Sequence, residues 1–267
     1  MSGFRDAWVR AAAIAAGLLP VYYLCIAMGT KYGLFNWATG FALLTLTVGP
    51  ILCALVLLVG TIGIALAGLV KPRRGWRLGL LSMFIPCAAL LMVAEPMLAS
   101  RRAPPLHDVS TDLIEPPRFS ASVAAERALS SGSNSLDLDH ARTPGDPVYG
   151  AAAGRLSIEV QQVAFPDIQP IPVGVPKSRA LAAAQGAAQE LGWTIDRVDT
   201  SGGTIEARAK SFWYGFIDDI VIRVTPVGAG AVIDVRSSSR AGPIDLGANA
   251  ERIRAFTKQI AKELARG

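Results

Sequence analysis

The sequence predicts an α+β protein in two parts. An N-terminal three-helix transmembrane region should precede a two-layer domain, in which an antiparallel sheet packs on two helices. The chain of 267 residues is 51% hydrophobic, with a mean hydropathy of +0.38, which is too apolar for an ordinary soluble domain. The apolar excess lies in the first hundred residues. The remainder shows the strand alternation and helical periodicity of a soluble domain with its own core.

Three long apolar stretches define a membrane anchor over residues 1–103. They lie at about 9–30, 41–70 and 78–99, and each exceeds or matches the roughly 20 residues that cross a bilayer as a helix. The second stretch is longer than one span requires. Pro50 therefore either kinks a single tilted helix or divides the stretch into a re-entrant pair, which would reverse the topology. A kink is the favoured interpretation.

The basic charge of the chain belongs to this anchor. Residues 1–103 carry nine Lys and Arg against two acids, whereas residues 104–267 carry seventeen against nineteen. Nucleic acid is not an expected partner, because binding it requires a basic face on the folded domain. Six of the nine flank the N-terminus or lie in the 71–77 loop, and Lys31, Arg101 and Arg102 lie on the other side. The positive-inside rule places the C-terminal domain outside the cytoplasm.

The soluble part begins with segments of weak periodicity. An extended arm over 104–119 is rich in Pro and turn residues, and a flexible loop is expected over 120–150. That loop holds a short helical candidate at 123–129, with Ser120 or Ser122 as its cap. An α+β domain over 151–267 follows. It opens with a possible helix at 151–164 and a Pro-containing edge strand at 165–174.

The remaining elements have clearer periods. Residues 178–191 and 249–265 carry apolar stripes at helical spacing. Strands are predicted at 193–199, 204–213, 219–226 and 231–240, joined in part by turns short enough for hairpins. In the last three strands, alternation directs Ala, Ile and Val towards the helices. It directs most charged residues to the opposite face, which should contact solvent or a ligand.

Two adjacent acids, Asp218 and Asp219, raise the question of a metal-binding or catalytic pair. Within a strand they point to opposite faces of the sheet, so only a turn or bulge would bring both to one ion. The alternative is structural. Asp218 would end the turn after Gly215, and Asp219 would pair with an arginine across the strands.

Several segments of the soluble part resemble, in fixed order, the family called domain of unknown function 1499. They are PPLHDVSTDLIEPPRF (104–119), FPDIQP (165–170), the region around Trp193, SFWYGFIDDIVIRV (211–224) and IDVRSSSRAGPIDLGANAERI (233–253). The resemblance implies a bacterial or plastid family often carried behind membrane spans, with no activity, cofactor or ligand to transfer. The matching positions are His107, Asp108, Ser110, Thr111, Asp112, Pro116, Pro117, Asp167, Asp218, Asp219, Arg223, Arg236, Ser238, Arg240, Asp245 and Asn249.

Few residues of the soluble part could carry chemistry. It has two histidines, no cysteine and none of the common catalytic or zinc-binding motifs, so no cofactor or metal is expected. The catalytic candidates are His107, Asp108, Asp218 and Asp245. His107 could act as a general base, and the acids could hold a hard ion if distant segments converged. Alternatively, His107 bonds a carbonyl where the arm docks, and Asp245 caps a helix or turn.

The charged sheet face suggests a ligand. Guanidinium groups suit carboxylates and phosphates, so an anionic lipid or a cell-wall fragment could bind there. The alternative is a solvated face of ion pairs. The candidate ligand-binding residues are Arg208, Arg223, Arg236, Ser238 and Arg240.

The leading hypothesis is a non-enzymatic, multi-pass protein of the bacterial inner (cytoplasmic) membrane. Its periplasmic domain would be a binding or interaction domain for a component of the cell envelope. One alternative is a metal- or His-dependent envelope hydrolase. Another is a structural subunit of a membrane assembly, for which the small residues over 60–68 are the supporting pattern. The sequence identifies no protein partner.

Overall fold

The computed structural model describes residues 1–100, 103–130, 132–138 and 140–266. The fold class is the predicted one, since three long apolar helices precede an antiparallel sheet of six strands packed with helices. Two residues of the charge argument, Arg101 and Arg102, lie outside the described residues. The chain forms two compact units: residues 1–99 with 212–215, and residues 100–211 with 216–267.

The first unit contains three helices long and apolar enough to cross a membrane, Ser2–Lys31, Ala38–Leu69 and Trp76–Glu95. Helix α1 is Ser2–Lys31. The second begins as a π-helical segment, Ala38–Val48, and continues as α2, Gly49–Leu69. Helix α3 is Trp76–Ser100. The second apolar stretch is therefore one helix rather than a re-entrant pair.

Pro50 gives a physical reason for the change from π to α geometry. A proline lacks the N–H of a regular turn, and its ring collides with the carbonyl four residues earlier. A wider turn before it relieves that collision. In this wider segment, the Thr45 and Thr47 hydroxyls donate to carbonyls five residues back, those of Gly40 and Ala42, at 2.9 and 3.1 Å.

Polar side chains and glycines set the helix contacts of this unit. The Trp8 indole N–H donates to the Val59 carbonyl at 3.0 Å. Arg5 is buried and donates to the carbonyls of Val70 and Pro72, which satisfies groups left open at the end of α2. Gly60 lies against α3, where an added Cβ would come within 2.8 Å of the Ser82 hydroxyl.

The sheet of the second unit has the order β1-β6-β5-β4-β3, with β2 also paired to β6, and all pairings are antiparallel. Strands β1 and β2 share one edge of β6: β1 pairs with its end and β2 with its beginning. The arm thus contributes a strand that the sequence did not predict. The strands are β1 Asp108–Ser110, β2 Ile171–Val173, β3 Thr194–Asp199, β4 Thr204–Lys210, β5 Ile217–Val227 and β6 Gly230–Ser239.

Four α-helices accompany the sheet among the described residues: α4 Ala121–Leu129, α5 Ser157–Ala164, α6 Lys177–Glu190 and α7 Ala248–Arg266. A 3₁₀ turn covers Pro147–Ala152. The single helix considered for 151–164 is wrong. Gly154 adopts φ of 68° between the 3₁₀ turn and α5, a left-handed conformation that interrupts a right-handed helix.

The core lies between the sheet and helices α6 and α7. Phe256 of α7 is fully buried and stacks on Trp193, with ring centroids 5.4 Å apart. On α6, small residues such as Ala184 are fully buried and allow the helix to approach the strands closely. Ile220 and Ile222 of β5 belong to the same core. The predicted division of the strands into an apolar and a charged face is confirmed.

Candidate functional site

The charged face of the sheet, opposite α6 and α7, is covered by the chain itself. Six of its polar residues are buried: Glu206, Asp219, Asp234, Arg236, Ser238 and Arg240. The prediction was that this face contacts solvent or a ligand. Contact with solvent is wrong for these six residues, and contact with a ligand stays a prediction. The arm and α4 lie over this face. For example, the Ser120 N–H donates to the Glu206 carboxylate at 2.6 Å.

Asp219 is held by two arginines on this covered face. Arg240 donates to both oxygens of the carboxylate through two nitrogens of its guanidinium, an arrangement called a fork. Its Nε lies 2.9 Å from Oδ2 and its Nη2 lies 2.6 Å from Oδ1. Arg127 of α4 adds a third bond, from its Nε to Oδ2 at 2.6 Å. The side chains of Asp219 and Arg127 are 1% and 4% exposed. The predicted pairing of Asp219 with a cross-strand arginine is confirmed.

The two guanidinium groups differ in electrostatic setting. Burial disfavours the charge of Arg127 and lowers its pKa below the ordinary value, although Asp219 opposes this shift. Burial also disfavours the charge of Arg240. There the hydrogen bonds to Asp219 and Glu126 outweigh burial and raise the pKa. Both groups stay charged at neutral pH, as arginines do in proteins.

Asp218 lies on the other side of the sheet, because it is the second residue of β5 and alternates with Asp219. It forms an ion pair with Arg252 of α7. The expectation that Asp218 ends the turn after Gly215 is wrong, since the strand already begins at Ile217. The two adjacent acids therefore face different partners and do not share a site.

Asp108 of β1 forms a second buried fork, with Arg236 of β6. The bonds are 3.0 Å from Nε to Oδ1 and 2.8 Å from Nη2 to Oδ2, and neither side chain is more than 4% exposed. Arg236 also donates to the carbonyls of Pro117 and Leu136, and its guanidinium lies 5.2 Å from the centre of the Phe119 ring. One side chain thus connects three points of the covering segments to the sheet.

The other predicted ligand-binding residues are also engaged or buried. Arg223 contacts Asp112 and Asp234, each at 2.8 Å, and Arg208 contacts Asp196 at 2.6 Å. The Ser238 hydroxyl is buried and has no hydrogen-bond partner among the described residues. Anion binding at these positions stays a prediction. In the observed geometry, an anion would have to compete with carboxylates that already bond the arginines.

His107 and Asp245 lie at the start of α7. The His107 ring bonds the backbone of Pro243, and the group involved is the carbonyl, since proline has no N–H. Burial lowers the pKa of His107 below its ordinary value, against the opposing effect of Asp108. Asp245 accepts from the N–H groups of Gly247 and Asn249, at 2.7 and 2.9 Å. It satisfies donors that the first turn of a helix leaves open.

Asn249, one of the positions that match the family motif, is the centre of a polar cluster between α7 and β6. Its Nδ2 donates to the His107 carbonyl at 3.0 Å and to the Ser239 hydroxyl at 2.9 Å. Its Oδ1 accepts from the Ser237 hydroxyl and from Arg252, both at 2.6 Å. The cluster therefore joins the first turn of α7 to β6 and to the arm. Within the described residues, no three His, Cys, Asp or Glu side chains lie close enough together to hold a metal ion.

An open cavity of about 250 Å³ borders the covered face, lined by Pro116, Arg118, Leu136, Asp137, Leu138 and Arg236. Arg118 is exposed and makes no ion pair with any described residue. It was not among the residues that the sequence suggested, although it follows Pro116-Pro117 in a family motif. A groove of about 430 Å³ lies between β2 and α7, lined by Asp167, Ile168, Gln169, Pro170, Ile171, Pro172, Ile253, Arg254, Thr257 and Lys258.

The region that forms this sheet also matches a known protein family. Residues 108–260, more than half of the chain, match the family described as "Protein of unknown function (DUF1499)". The chain belongs to the DUF1499 family. The DUF1499 match starts at the first residue of β1 and ends in α7, so it includes both buried forks and the side chains of the Asn249 cluster. No curated protein matches the chain.

Proposed function

We propose that this DUF1499 protein is a non-enzymatic, multi-pass membrane protein whose α+β domain binds a component of the cell envelope. The supporting observation is that all four catalytic candidates bond other parts of the same domain. Asp108 and Asp218 are paired with arginines, Asp245 accepts two backbone N–H groups, and the His107 ring bonds a carbonyl. Among the described residues, no hydrogen bond joins two of these four side chains, so they form neither a nucleophile–base pair nor a carboxylate pair. These groups instead hold segments of the domain together.

The binding site we propose is the cavity beside Arg118. Arg236 lies at its wall but is committed to Asp108, whereas Arg118 makes no hydrogen bond or ion pair with any residue that the structure describes. Asp137 also lines the cavity and forms an exposed pair with His140. Because Asp108 already balances the charge of Arg236, Arg118 is the group that would attract the ligand, and its guanidinium suits a phosphate or a carboxylate. An anionic lipid headgroup and a cell-wall fragment both offer this chemistry.

The proposed location is the periplasmic side of a bacterial inner membrane. It rests on the six basic residues that flank the N-terminus or lie at 71–77, which the positive-inside rule places in the cytoplasm. Three spans then bring the chain after α3 to the opposite side. Because Ala38–Leu69 is one helix and not a re-entrant pair, it counts as a single crossing, which supports a total of three spans.

Binding can be tested with the full-length protein in a neutral detergent. Dihexanoyl phosphatidylglycerol, dihexanoyl phosphatidylcholine and a soluble muramyl peptide are titrated separately by calorimetry. We expect one anionic probe to bind, the neutral lipid not to bind, and Arg118→Ala to weaken binding about tenfold or more, as the loss of a charge-assisted hydrogen bond implies. Arg179→Ala is the matched control, because Arg179 is an exposed arginine on α6. Equal binding by the two variants would refute the site.

Location can be tested separately with reporters fused after residue 267. Alkaline phosphatase is active only outside the cytoplasm, and green fluorescent protein exported through the same route stays dark. We expect active phosphatase and dark fluorescent protein. The reverse pattern would refute the proposed topology without bearing on the ligand.

A further inference from the structure

One segment of the first unit is remote in sequence from the helices. Residues 212–215, from the connection between β4 and β5, belong to the helical unit. The flanking residues close the connection as a tight turn. The Ser211 N–H donates to the Phe216 carbonyl at 2.8 Å, and the Phe216 N–H donates to the Ser211 hydroxyl at 2.9 Å. The four residues between them extend beyond the paired strands.

Two of these four residues expose large aromatic side chains. Phe212 is 72% exposed and Trp213 is 57% exposed, and their rings meet edge to face with centroids 5.1 Å apart. An exposed aromatic pair at the tip of a hairpin costs solvation free energy unless something covers it. Such patches mark interaction surfaces.

Contacts inside the unit place the turn along the helices. The Tyr214 hydroxyl lies 2.9 Å from the Thr45 hydroxyl, and its ring meets that of Phe41 edge to face, with centroids 5.0 Å apart. The Lys31 ammonium, at the end of α1, donates to the Phe212 carbonyl at 2.8 Å and lies 4.7 Å from the Phe212 ring centre. The turn therefore lies where α1 ends and the helix over Ala38–Leu69 begins.

This end of the helices has the composition of a membrane–water interface. Tyr32 and Leu34 are exposed there, next in sequence to Lys31. About two turns before the C-terminal end of α1, Leu24 and Val21 expose further apolar surface of the kind that faces lipid. Trp and Tyr concentrate at interfaces, where the ring is apolar and one atom is polar, and a lysine reaches from there to the headgroups.

We propose that the turn Phe212–Gly215 is a membrane anchor in its own right, with Phe212 and Trp213 inserted into the interfacial region of the bilayer beside α1. The lipid surface is the partner because the aromatic pair continues the apolar surface of helices that themselves face lipid. Lys31 adds attraction for anionic headgroups at the same level. This inference rests on the proposal that the three helices span the membrane.

Spin-label accessibility tests the anchor in the full-length protein, reconstituted in vesicles of phosphatidylethanolamine and phosphatidylglycerol. Cys25, Cys53 and Cys87 are first replaced by serine, and one nitroxide is attached through Trp213→Cys. Val227→Cys is the matched control, since Val227 is also 57% exposed and lies beside the β5–β6 turn. Collisions with oxygen, which concentrates in hydrocarbon, are compared with those of a water-soluble nickel chelate.

We expect the oxygen-to-nickel collision ratio at position 213 to be several-fold above that at position 227. Equal ratios place the turn in water and overturn the anchor. Low collision rates with both reagents at 213 mean that protein covers the turn, which also overturns it. Phe212→Cys repeats the measurement with Trp213 intact. A label at Leu58, an exposed residue of α2, tests the span itself: a water-like ratio there would refute the proposed spanning rather than the anchor alone.

Discussion

Arg240 and Asp219 join the ends of two neighbouring strands through two hydrogen bonds of 2.9 and 2.6 Å, with both side chains almost fully buried. Arg127 approaches the same carboxylate from α4. A buried ion pair is not in itself evidence of high stability, because removing two charges from water costs as much as their attraction returns. Removing one member is different, since it leaves the other charge buried without a partner.

Asp219→Asn tests this relationship. The substitution keeps the shape of the side chain. It leaves Arg240 with Glu126 as its remaining carboxylate, and it leaves the buried Arg127 without an ion pair to any described residue. We expect the free energy of unfolding to fall by about 3–5 kcal/mol, measured by urea titration of the full-length protein in detergent. Asp167→Asn is the control. Its ion pair with Arg254 is largely exposed, so the expected loss stays below about 1 kcal/mol. Equal losses in both variants would contradict a special role for the buried carboxylate.

The Asp108–Arg236 fork predicts how the arm detaches. Asp108→Ala removes the carboxylate that ties β1 to β6, so residues 106–119 should exchange their amide hydrogens faster than in the wild type. The amide of Thr111, which donates to the Val235 carbonyl at 2.9 Å, is a sensitive reporter. Hydrogen exchange followed by mass spectrometry measures the effect. Asp167→Ala serves as control, and unchanged protection of the arm in Asp108→Ala would show that backbone pairing alone holds it.

The alternation of apolar and charged residues was sufficient to predict the two faces of the sheet. Ile220 and Ile222 had to share a side because strand side chains repeat every two residues. The same rule directs Asp218 and Asp219 to opposite faces of the sheet. The stripe of α7, with Ile253, Phe256 and Ile260 buried, followed in the same way from the helical period. Local periodicity therefore accounts for strands β3 to β6, for helices α6 and α7, and for the face to which the charged side chains of the last three strands point.

What covers the charged face could not be predicted in this way. The arm has no apolar period, and its partners in β6 lie more than a hundred residues further along the chain. Arg127 is one charged residue in a short helix, and nothing local distinguishes it from an exposed arginine. A burial that depends on such distant contacts has no local signature. The expectation of a solvated face failed for this reason, and the cavity at Arg118 was missed with it.

His107 predicts a pH dependence of stability. Burial holds its pKa below the ordinary value near 6.5, so the unfolded chain takes up a proton at a higher pH than the folded protein does. The neutral form contributes stability above the unfolded pKa, and this contribution is lost as the pH falls below about 6.5. One proton gives a slope of at most about 1.4 kcal/mol per pH unit.

Urea titrations between pH 7 and pH 5 check this prediction. We expect the free energy of unfolding of the wild type to fall over this range, and the fall to be smaller in His107→Gln. His140 is the second histidine of the chain and is exposed, so His140→Gln should retain the wild-type slope. The same slope in all three proteins would mean that His107 titrates alike in the folded and unfolded states.

The small residues of α6 predict how the helix layer tolerates added volume. Ala184 is fully buried against the sheet, so the methyl groups that Ala184→Leu adds find no space at native packing density and must displace α6 or the strands. We expect a loss of about 1–3 kcal/mol in the free energy of unfolding, as overpacked cores show. Ala182→Leu makes the identical change on the exposed side of the same helix, where leucine and alanine have similar helix propensities. The free energy of unfolding of Ala182→Leu should stay within about 0.5 kcal/mol of the wild-type value. A tolerated leucine at position 184 would mean that α6 is free to move away from the strands, and close approach of the alanines would then not be what holds the helix on the sheet.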